Sequence, residues 1–444
     1  MQFLKGKSYI FNIIGDFMKN KFLKNTFILI LGGFITKILG MLIKIIMTRN
    51  ISEQGMSLYM LTLPTYNLFI TIITLSLTQS ISKMVGENKN DNKKIISSSI
   101  LISIIISILG SILLLIIIKP ITIMLHNDNL YFPLLSIILS LPFISIGASI
   151  KGYFFGENKM HIVVISNFLE QILRIILFIL ILPKFKNDIL SVSFIVGSNM
   201  FSEILSIVTL SLFVPKSNIT LRSIRPDKKI IKEILSISIP NTLSKLIGVI
   251  SYFFEPIILT NLLLINGYSN NYISSLYGIV NGYTIQLLLL PSFFTNAIST
   301  SMIPLISNAY SNKKYHYIKK KIKQIIVLSL LIGISYTGIV MYKKELIMEL
   351  IYNTNKGVNY INLMAPIFIL LYLEGPINSI LLVFNKSKEI LKTNIVTIII
   401  KYIIMIILSF MKYGIYSFII PLLLNIIIVV LINSLKVIKE INSF

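Results

Sequence analysis

Cysteine is absent from the 444 residues, and histidine occurs only at His126, His161 and His316. The lack of cysteine excludes disulfides and thiolate metal sites. None of the histidines are spaced as a ligand pair, so we expect neither a structural metal nor another cofactor. The disulfide-rich and zinc-binding classes of protein are therefore excluded.

Charge is also scarce, since 13% of the residues are charged and 55% are hydrophobic. A soluble domain carries about 25% charged residues, so this composition indicates a polytopic membrane protein. The 41 basic residues outnumber the 17 acidic ones and give a net charge of +24. In a membrane protein such an excess is typical of loops that face anionic lipid headgroups, so membrane lipids are expected partners and nucleic acid is not.

Apolar runs that can cross about 30 Å of hydrocarbon recur along the chain and predict an all-α fold of about twelve membrane helices. We place these helices near 25–49, 56–82, 95–118, 131–155, 161–183, 189–214, 231–265, 272–310, 324–341, 360–384, 390–410 and 414–434. Prolines interrupt the seventh and eighth runs, so the limits of those two helices are approximate. The polar connections are too short to hold a folded catalytic domain.

The distribution of lysine and arginine predicts the orientation of these helices. If the N-terminus is cytoplasmic, the inner segments hold 28 of the basic residues and the outer segments hold 8. Basic residues concentrate in cytoplasmic loops, so we predict a cell-membrane protein with both termini in the cytoplasm. Residues 1–23 are apolar and lysine-rich, and we predict an amphipathic segment on the membrane surface.

The sequence carries signs of an internal duplication. The pentapeptide from Thr36 to Gly40 resembles the one from Ser244 to Gly248, and Ser57-Leu58-Tyr59 recurs as Ser275-Leu276-Tyr277. Further matches pair Asn158, Lys159, Asn167 and Arg174 with Asn385, Lys386, Asn394 and Lys401. Chance similarity in Ile/Leu-rich sequence is the alternative explanation. Parallel repeats predict two six-helix lobes, 24–214 and 231–444, joined by a cytoplasmic linker at 215–230, with the substrate site between them.

Cations lie within the predicted helices of both halves. A charged side chain at the centre of a membrane helix costs roughly 2.5–3.5 kcal/mol, so it requires a cavity, a partner or a function. Lys37 lies near mid-membrane, whereas Lys44 and Arg49 lie progressively further out, where snorkelling to the headgroups is an alternative explanation. The residues predicted to line a shared cationic cavity are Lys37, Lys44, Arg49, Arg174, Lys245 and Lys401.

Acidic residues within the predicted helices are fewer. Glu170 lies one turn before Arg174, a spacing that favours an ion pair between them. Glu255 follows Lys245 on the proline-interrupted seventh helix and either neutralises a cation or binds a coupling ion. We assign the same two alternatives, charge pairing or ion coupling, to Glu170 and Glu374.

A cationic cavity in a low-dielectric medium selects anions, particularly phosphates, and apolar walls beside it suit a lipid tail. The residues therefore indicate a two-lobed transporter of an amphipathic anion. The alternatives are a cation-coupled multidrug exporter, which would favour an acidic cavity, a membrane enzyme, and a scaffold that recruits other proteins. An enzyme is disfavoured because the outer loops offer no acidic pair suited to catalysis.

The run from Lys37 to Arg49, followed by Glu53, Gly55 and Leu58-Tyr59, resembles the first two helices of the stage V sporulation protein B family. Further resemblance comes from Ser80–Lys83, Pro240–Ser244, Gly248, Leu276–Gly278, Pro291 and Ile303–Ser307. That family is part of the multidrug/oligosaccharidyl-lipid/polysaccharide exporter superfamily, together with the MurJ-type lipid II flippases.

The resemblance implies two six-helix lobes in a V shape around a central cavity. It also implies translocation of undecaprenyl-diphosphate-linked sugar precursors to the outer leaflet, in this branch for spore cortex peptidoglycan. The implied partners are an anionic lipid-linked oligosaccharide and cell-wall synthesis proteins. In the flippases the first-helix basic residues engage the diphosphate, and the matching positions are Lys44 and Arg49. This chain departs from the family pattern with lysine at position 44 and serine at position 52, where arginine and glycine are usual.

Overall fold

The computed structural model describes residues 21–87, 91–214 and 226–443. This part of the chain is helical and contains no strand, which confirms the all-α prediction. The predicted surface segment at 1–23 and the linker at 215–230 lie largely outside the described residues.

The first half of the chain forms helices α1 (Lys21–Asn50), α2 (Glu53–Thr74), α3 (Leu77–Gly86), α4 (Asn92–Met124), α5 (Tyr131–Gly156), α6 (Met160–Ile181), α7 (Asp188–Gly197) and α8 (Asn199–Leu212). The second half forms α9 (Lys228–Ile265), α10 (Asn270–Ile279), α11 (Ile285–Leu288), α12 (Leu290–Ser311), α13 (Tyr315–Tyr342), α14 (Lys344–Tyr352), α15 (Val358–Val383), α16 (Ser387–Phe410) and α17 (Tyr416–Asn442). A π-helical stretch, Val280–Thr284, joins α10 to α11.

Eleven of the described helices or helix pairs are long and apolar enough to cross a membrane, and the count rises to twelve if one bent pair is a single span. The prediction of about twelve spans is thereby confirmed. The bent pair is the eighth span, which turns by 42° between Leu288 and Leu290. Pro291 lies in the first turn of α12, where a missing N–H costs little. The seventh span continues as α9 through both Pro240 and Pro256.

Short polar side chains begin several helices. The Ser52 hydroxyl accepts hydrogen bonds from the backbone N–H groups of Gln54 and Gly55 at the start of α2. Asp91 and Asp227 cap α4 and α9 in the same way. These caps satisfy N–H groups that have no partner within the helix, so they fix where these helices begin.

The second span also contains a break, between α2 and α3. Leu75 and Ser76 adopt left-handed conformations, with φ of 42° and 50°. Neither residue is glycine, so the surrounding helices must hold this strained turn in place. The second helix of each lobe is therefore interrupted.

Matched positions of the two halves share local structure. Asn158 and Asn385 both adopt left-handed conformations, with φ of 57° and 60°. The residues that follow them, Lys159 and Lys386, each donate a 2.9 Å backbone hydrogen bond to a carbonyl five residues earlier. The same helix-ending turn also occurs at His126, Lys313 and Lys412, so it is a common helix end in this chain and the duplication stays a prediction.

Small polar residues pack the helices of the first lobe closely. The hydroxyls of Ser103 on α4 and Ser149 on α5 lie 2.7 Å apart, as do those of Ser166 on α6 and Ser206 on α8. Small side chains allow membrane helices to approach, and their hydroxyls find partners across the contact.

Helix α9 packs on both lobes. Ile230 and Ile234 lie in an apolar cluster with first-lobe residues, and Ser238 donates a 2.8 Å hydrogen bond to the Ser80 hydroxyl on α3. Further along, Ser251 donates a 3.2 Å hydrogen bond to Tyr402 on α16. The packing partner of the chain therefore changes within α9, and the lobe boundary at residue 231 stays a prediction.

The buried apolar residues form three clusters. The largest joins both lobes near the predicted outer ends of the helices, and Met47 and Met56 share it with Tyr277 and Met348. Toward the predicted cytoplasmic end the core divides. One cluster belongs to the first lobe with the start of α9, and the other, around Ile318 on α13, belongs to the second. The lobes are thus packed together at the predicted outer end and have separate cores at the other.

Candidate functional site

The three cations of α1 all reach across to the second lobe. The Lys37 ammonium lies 5.1 Å from the centre of the Phe293 ring on α12, a cation–π contact. Lys44 donates a hydrogen bond to the Gln286 side-chain oxygen on α11, and Arg49 donates one to the backbone oxygen of Leu350 on α14. Within the described residues none of the three forms an ion pair.

Lys245 makes the reciprocal contact. Its ammonium lies 3.4 Å from the side-chain oxygen of Gln79 on α3, so this second-lobe lysine reaches the first lobe. It also lines a cavity of about 280 Å³ whose polar lining includes Glu374, Asn394 and Asn425. The matched lysines 37 and 245 therefore each contact the broken second helix of the opposite lobe, and neither has a carboxylate partner among the described residues.

Arg174 belongs to a charge network inside the first lobe. Its guanidinium lies 3.1 Å from Glu170, which is the ion pair expected from their spacing. Lys151 on α5 lies 3.3 Å from Glu170 and 3.5 Å from Glu203 on α8. The four side chains are at least four-fifths buried, and their two positive and two negative charges compensate each other.

Lys401, the second-lobe match of Arg174, is also compensated within its own lobe. It forms an ion pair with Glu255 on α9, and both side chains are buried. The neighbouring Tyr402 hydroxyl donates a 2.5 Å hydrogen bond to the backbone oxygen of Ser251. Of the two alternatives for Glu255, charge pairing is the one that the structure contains.

The predicted cationic residues therefore divide into two groups. Arg174 and Lys401 have carboxylate partners, whereas Lys37, Lys44, Arg49 and Lys245 have none among the described residues. All four of the latter lie where the two lobes face each other. Lys37, Arg49 and Lys245 are exposed and Lys44 is half-buried. A charge within a membrane span is costly unless it has a cavity, a partner or a function, so these four favour an anion between the lobes.

A small cavity of about 60 Å³ lies in the first lobe beside α1. Lys44 and Arg174 both line it, together with Tyr59, Tyr66 and Asn199. The remaining walls are apolar and come from α1, α2, α6 and α7: Ile43, Met47, Leu63, Phe178, Ile195 and Val196. This cavity brings together two of the predicted site residues. The charge of Arg174 is neutralised by Glu170, whereas Lys44 has no carboxylate partner among the described residues.

The predicted outer end is closed by contacts between the lobes. Glu53 forms an ion pair with Lys356 and accepts a 2.6 Å hydrogen bond from Ser275. The Ser57 hydroxyl donates a 2.6 Å hydrogen bond to the backbone oxygen of Ser274. A polar cleft of about 860 Å³ lies over these contacts.

Sequence reasoning missed several of these residues. Lys151 lies close to the predicted end of its helix, where a lysine facing the headgroups has the same sequence pattern. Gln79 and Gln286 carry no charge and have no sequence signal that separates them from other polar residues of a membrane helix. In the described chain, no three histidine or acidic residues approach closely enough to hold a metal ion.

Comparison with known proteins agrees with this architecture. Residues 22–310 match the family model described as polysaccharide biosynthesis protein, and residues 256–411 match the MatE model. The chain is 30% identical over 406 residues to stage V sporulation protein B of Bacillus subtilis (strain 168), covering 88% of this chain and 78% of that protein. It is 25% identical over 404 residues to sporulation protein YkvU of the same organism, covering 88% and 89% respectively.

Among solved structures, the fold is similar to that of an inward-facing multidrug resistance MATE family transporter of the MOP superfamily. The TM-score is 0.76 at 12% sequence identity, with 94% of this chain and 98% of that chain covered. At this identity the likeness concerns the fold alone. The family match and the curated relative carry the assignment: the chain belongs to the polysaccharide biosynthesis protein family and is homologous to stage V sporulation protein B.

Proposed function

We propose that this transporter is a flippase for a lipid-linked oligosaccharide. The proposed cargo is an undecaprenyl-diphosphate-linked peptidoglycan precursor of the lipid II type, or a related lipid-linked glycan. It would move from the inner to the outer leaflet of the cell membrane by alternating access, for spore cortex synthesis. The proposal places both termini in the cytoplasm.

The observation that carries this proposal is the set of uncompensated cations between the lobes. Lys37, Lys44 and Arg49 project from one helix of the first lobe, and Lys245 projects from the second. A diphosphate supplies the negative charge that these side chains lack. Lysine binds a phosphate as a point charge and without the fixed fork of arginine, which suits a site that must also release its cargo.

The closed predicted outer end supports the direction of loading. Because the lobes are joined there and have separate cores at the predicted cytoplasmic end, this conformation suits loading from the inner leaflet. An anion that then moves outward gains about 2.3 kcal/mol per charge for each 100 mV of membrane potential. The potential alone can therefore favour export.

A cation-coupled multidrug exporter of the same fold is the second candidate. Glu374 favours it, since this carboxylate lines the cavity beside Lys245 and forms no ion pair in the described part of the chain. Against it, Glu255 is committed to Lys401, and the uncompensated charges between the lobes are positive. A cationic drug would be repelled there.

The test is reconstitution of the purified protein in liposomes with a fluorescent undecaprenyl-diphosphate disaccharide in both leaflets. A membrane-impermeant quencher added outside reports how fast the inner-leaflet lipid reaches the outside. We expect the wild-type protein to increase this rate. Lys37→Ala, Lys44→Ala and Lys245→Ala should each lower it at least tenfold, because each removes a charge-assisted contact worth about 1.5–3 kcal/mol.

Lys319→Ala is the matched control, since Lys319 is an exposed lysine at the predicted cytoplasmic end of α13. It should flip at the wild-type rate. Wild-type flipping by all three cavity variants would contradict the proposal. So would drug export driven by a cation gradient from a protein that does not move the lipid.

A further inference from the structure

We propose that the cavity between Lys44 and Arg174 is a subsite for one phosphate group, and that its occupation releases Lys44 from Gln286. The inference rests on the proposed function, because the phosphate would normally be part of the transported lipid. It adds to the proposed function a phosphate-binding position in the first lobe. It also connects cargo binding to the contact between Lys44 and Gln286, which joins the two lobes.

The dimensions of the cavity fit a small oxyanion. Its volume of about 60 Å³ admits a few waters or one small oxyanion. We place one phosphate group there and the glycan in the space between the lobes.

The polar groups of the cavity are arranged for an anion. Lys44 supplies a positive charge with no carboxylate partner among the described residues. Arg174 contacts Glu170 and Ser202 through one terminal nitrogen, while its Nε is buried and has no hydrogen-bond partner. The side chains of Tyr59 and Tyr66 complete the polar wall, and phenolic hydroxyls can donate to a phosphate oxygen.

The charged side chains at and around this cavity carry one excess positive charge. Lys151 and Arg174 are balanced by Glu170 and Glu203, so Lys44 is the excess cation at this cavity. A bound phosphate monoanion would neutralise that excess. The buried unpaired Nε of Arg174 would gain an acceptor at the same time.

Phosphate binding would affect the second lobe because Lys44 donates its hydrogen bond to Gln286 on that lobe. Gln286 is a neutral amide on α11, and its hydrogen bond to Lys44 is one of the contacts that join the lobes. The hydrogen bond from Lys44 to Gln286 has one charged partner, whereas a phosphate adds an opposite charge whose attraction is strong in a low-dielectric site, so a phosphate competes well for the ammonium. When it does, the lobes lose a contact, and opening at the predicted outer end becomes easier.

The experiment uses spin labels on the full chain in phosphatidylcholine nanodiscs. Because the chain has no cysteine, Lys184→Cys and Lys343→Cys place one label at the predicted outer end of each lobe. Inorganic phosphate is titrated against chloride at equal ionic strength, and the distance between the labels is measured. We expect phosphate to increase the long-distance population, with binding measured in parallel by isothermal titration calorimetry.

Three variants in this background test the residues. Lys44→Gln should abolish the response and lower phosphate affinity at least tenfold, and Tyr66→Phe, which keeps the ring, should lower it about threefold. Gln286→Leu should favour the long distance without phosphate and bind phosphate more tightly than the wild-type protein. Lys319→Ala should respond as the wild type does.

A second arm distinguishes the source of the phosphate. Nanodiscs containing undecaprenyl phosphate replace free phosphate, and a response to the lipid, with or without one to the free ion, supports a lipid headgroup as ligand. A response to inorganic phosphate alone supports a subsite for the free ion. The subsite is overturned if neither inorganic phosphate nor undecaprenyl phosphate changes the distance between the labels. It is also overturned if Lys44→Gln responds as the wild-type protein does.

The outcome also separates this inference from the proposed function. If Lys44→Gln stops lipid flipping while phosphate still binds and moves the lobes, the subsite is wrong and the flippase stands. If phosphate acts through Lys44 but the protein flips no lipid-linked glycan, the flippase is wrong and the subsite stands.

Discussion

Glu53 and Lys356, from opposite lobes, form an ion pair at the predicted outer end of the molecule. Beside it, Ser275 donates a hydrogen bond to Glu53, and Ser57 donates one to the carbonyl of Ser274. Polar contacts between the two lobes therefore hold this end closed, where the lobes must separate in the proposed alternating-access cycle.

We predict that Glu53→Gln shifts the protein toward opening at the predicted outer end. The Lys356 side chain is 60% exposed, so the pair contributes at most about 1 kcal/mol and its loss changes the ratio of states by up to about fivefold. Spin-label distances between positions 184 and 343 would report the shift. The charge exchange Glu53→Lys with Lys356→Glu should restore the closed population, and failure to do so would show that the pair does not act through its charges.

Gly278 should be intolerant of any side chain in the closed conformation. A Cβ at this position would lie 2.7 Å from the Cα of Ser57, a backbone atom that cannot turn aside. Gly278→Ala should therefore disfavour the closed outer end by about 1–3 kcal/mol, again visible as a longer distance between the labels. Gly248→Ala is the control, because its Cβ would meet nothing within 4 Å. Equal effects of the two substitutions would refute the steric explanation.

The charge network of the first lobe should be needed for stability. Lys151→Met leaves Glu170 and Glu203 with Arg174 as their remaining cation, and breaking a buried pair costs about 3–5 kcal/mol. Thermal unfolding of the purified protein in detergent would measure the loss. The double variant Lys151→Met with Glu203→Gln restores the charge balance and should recover most of the stability. A double variant less stable than the single one would argue against charge compensation.

The pair of Lys401 and Glu255 should be structural. We expect Lys401→Met to reduce both stability and transport, because it leaves a buried carboxylate alone. Lys401→Met with Glu255→Gln should transport at close to the wild-type rate in the liposome assay. If transport is lost in the double variant while its unfolding temperature is normal, Glu255 takes part in ion coupling instead.

Much of the fold could be predicted because membrane helices are recognisable from local sequence. Span number depends on the length of apolar runs, and the pair of Glu170 and Arg174 depends on a spacing within one helix. The break at Leu75 and Ser76 had no such signal, since neither glycine nor proline marks it. There the packing of neighbouring helices overrides the local preference.

The site was harder to predict because charge compensation acts between helices distant in sequence. Arg174 and Lys401 were assigned to a shared cationic cavity, and the structure gives each a carboxylate inside its own lobe. Glu255 and Lys401 are 146 residues apart, so no periodicity connects them. Whether Lys37, Lys44, Arg49 and Lys245 bind cargo stays a prediction.

Helix α9 constrains how the two lobes can move. Its first half is bound to the first lobe through Ser238 and Ser80, and its second half is bound to α16 through Glu255 and Lys401. A rigid helix that is fixed to both lobes cannot follow them if they tilt apart. If the lobes tilt apart in the proposed alternating-access cycle, each turnover must bend α9 or break one of these two attachments, and the stiffness of α9 would then limit the rate of transport.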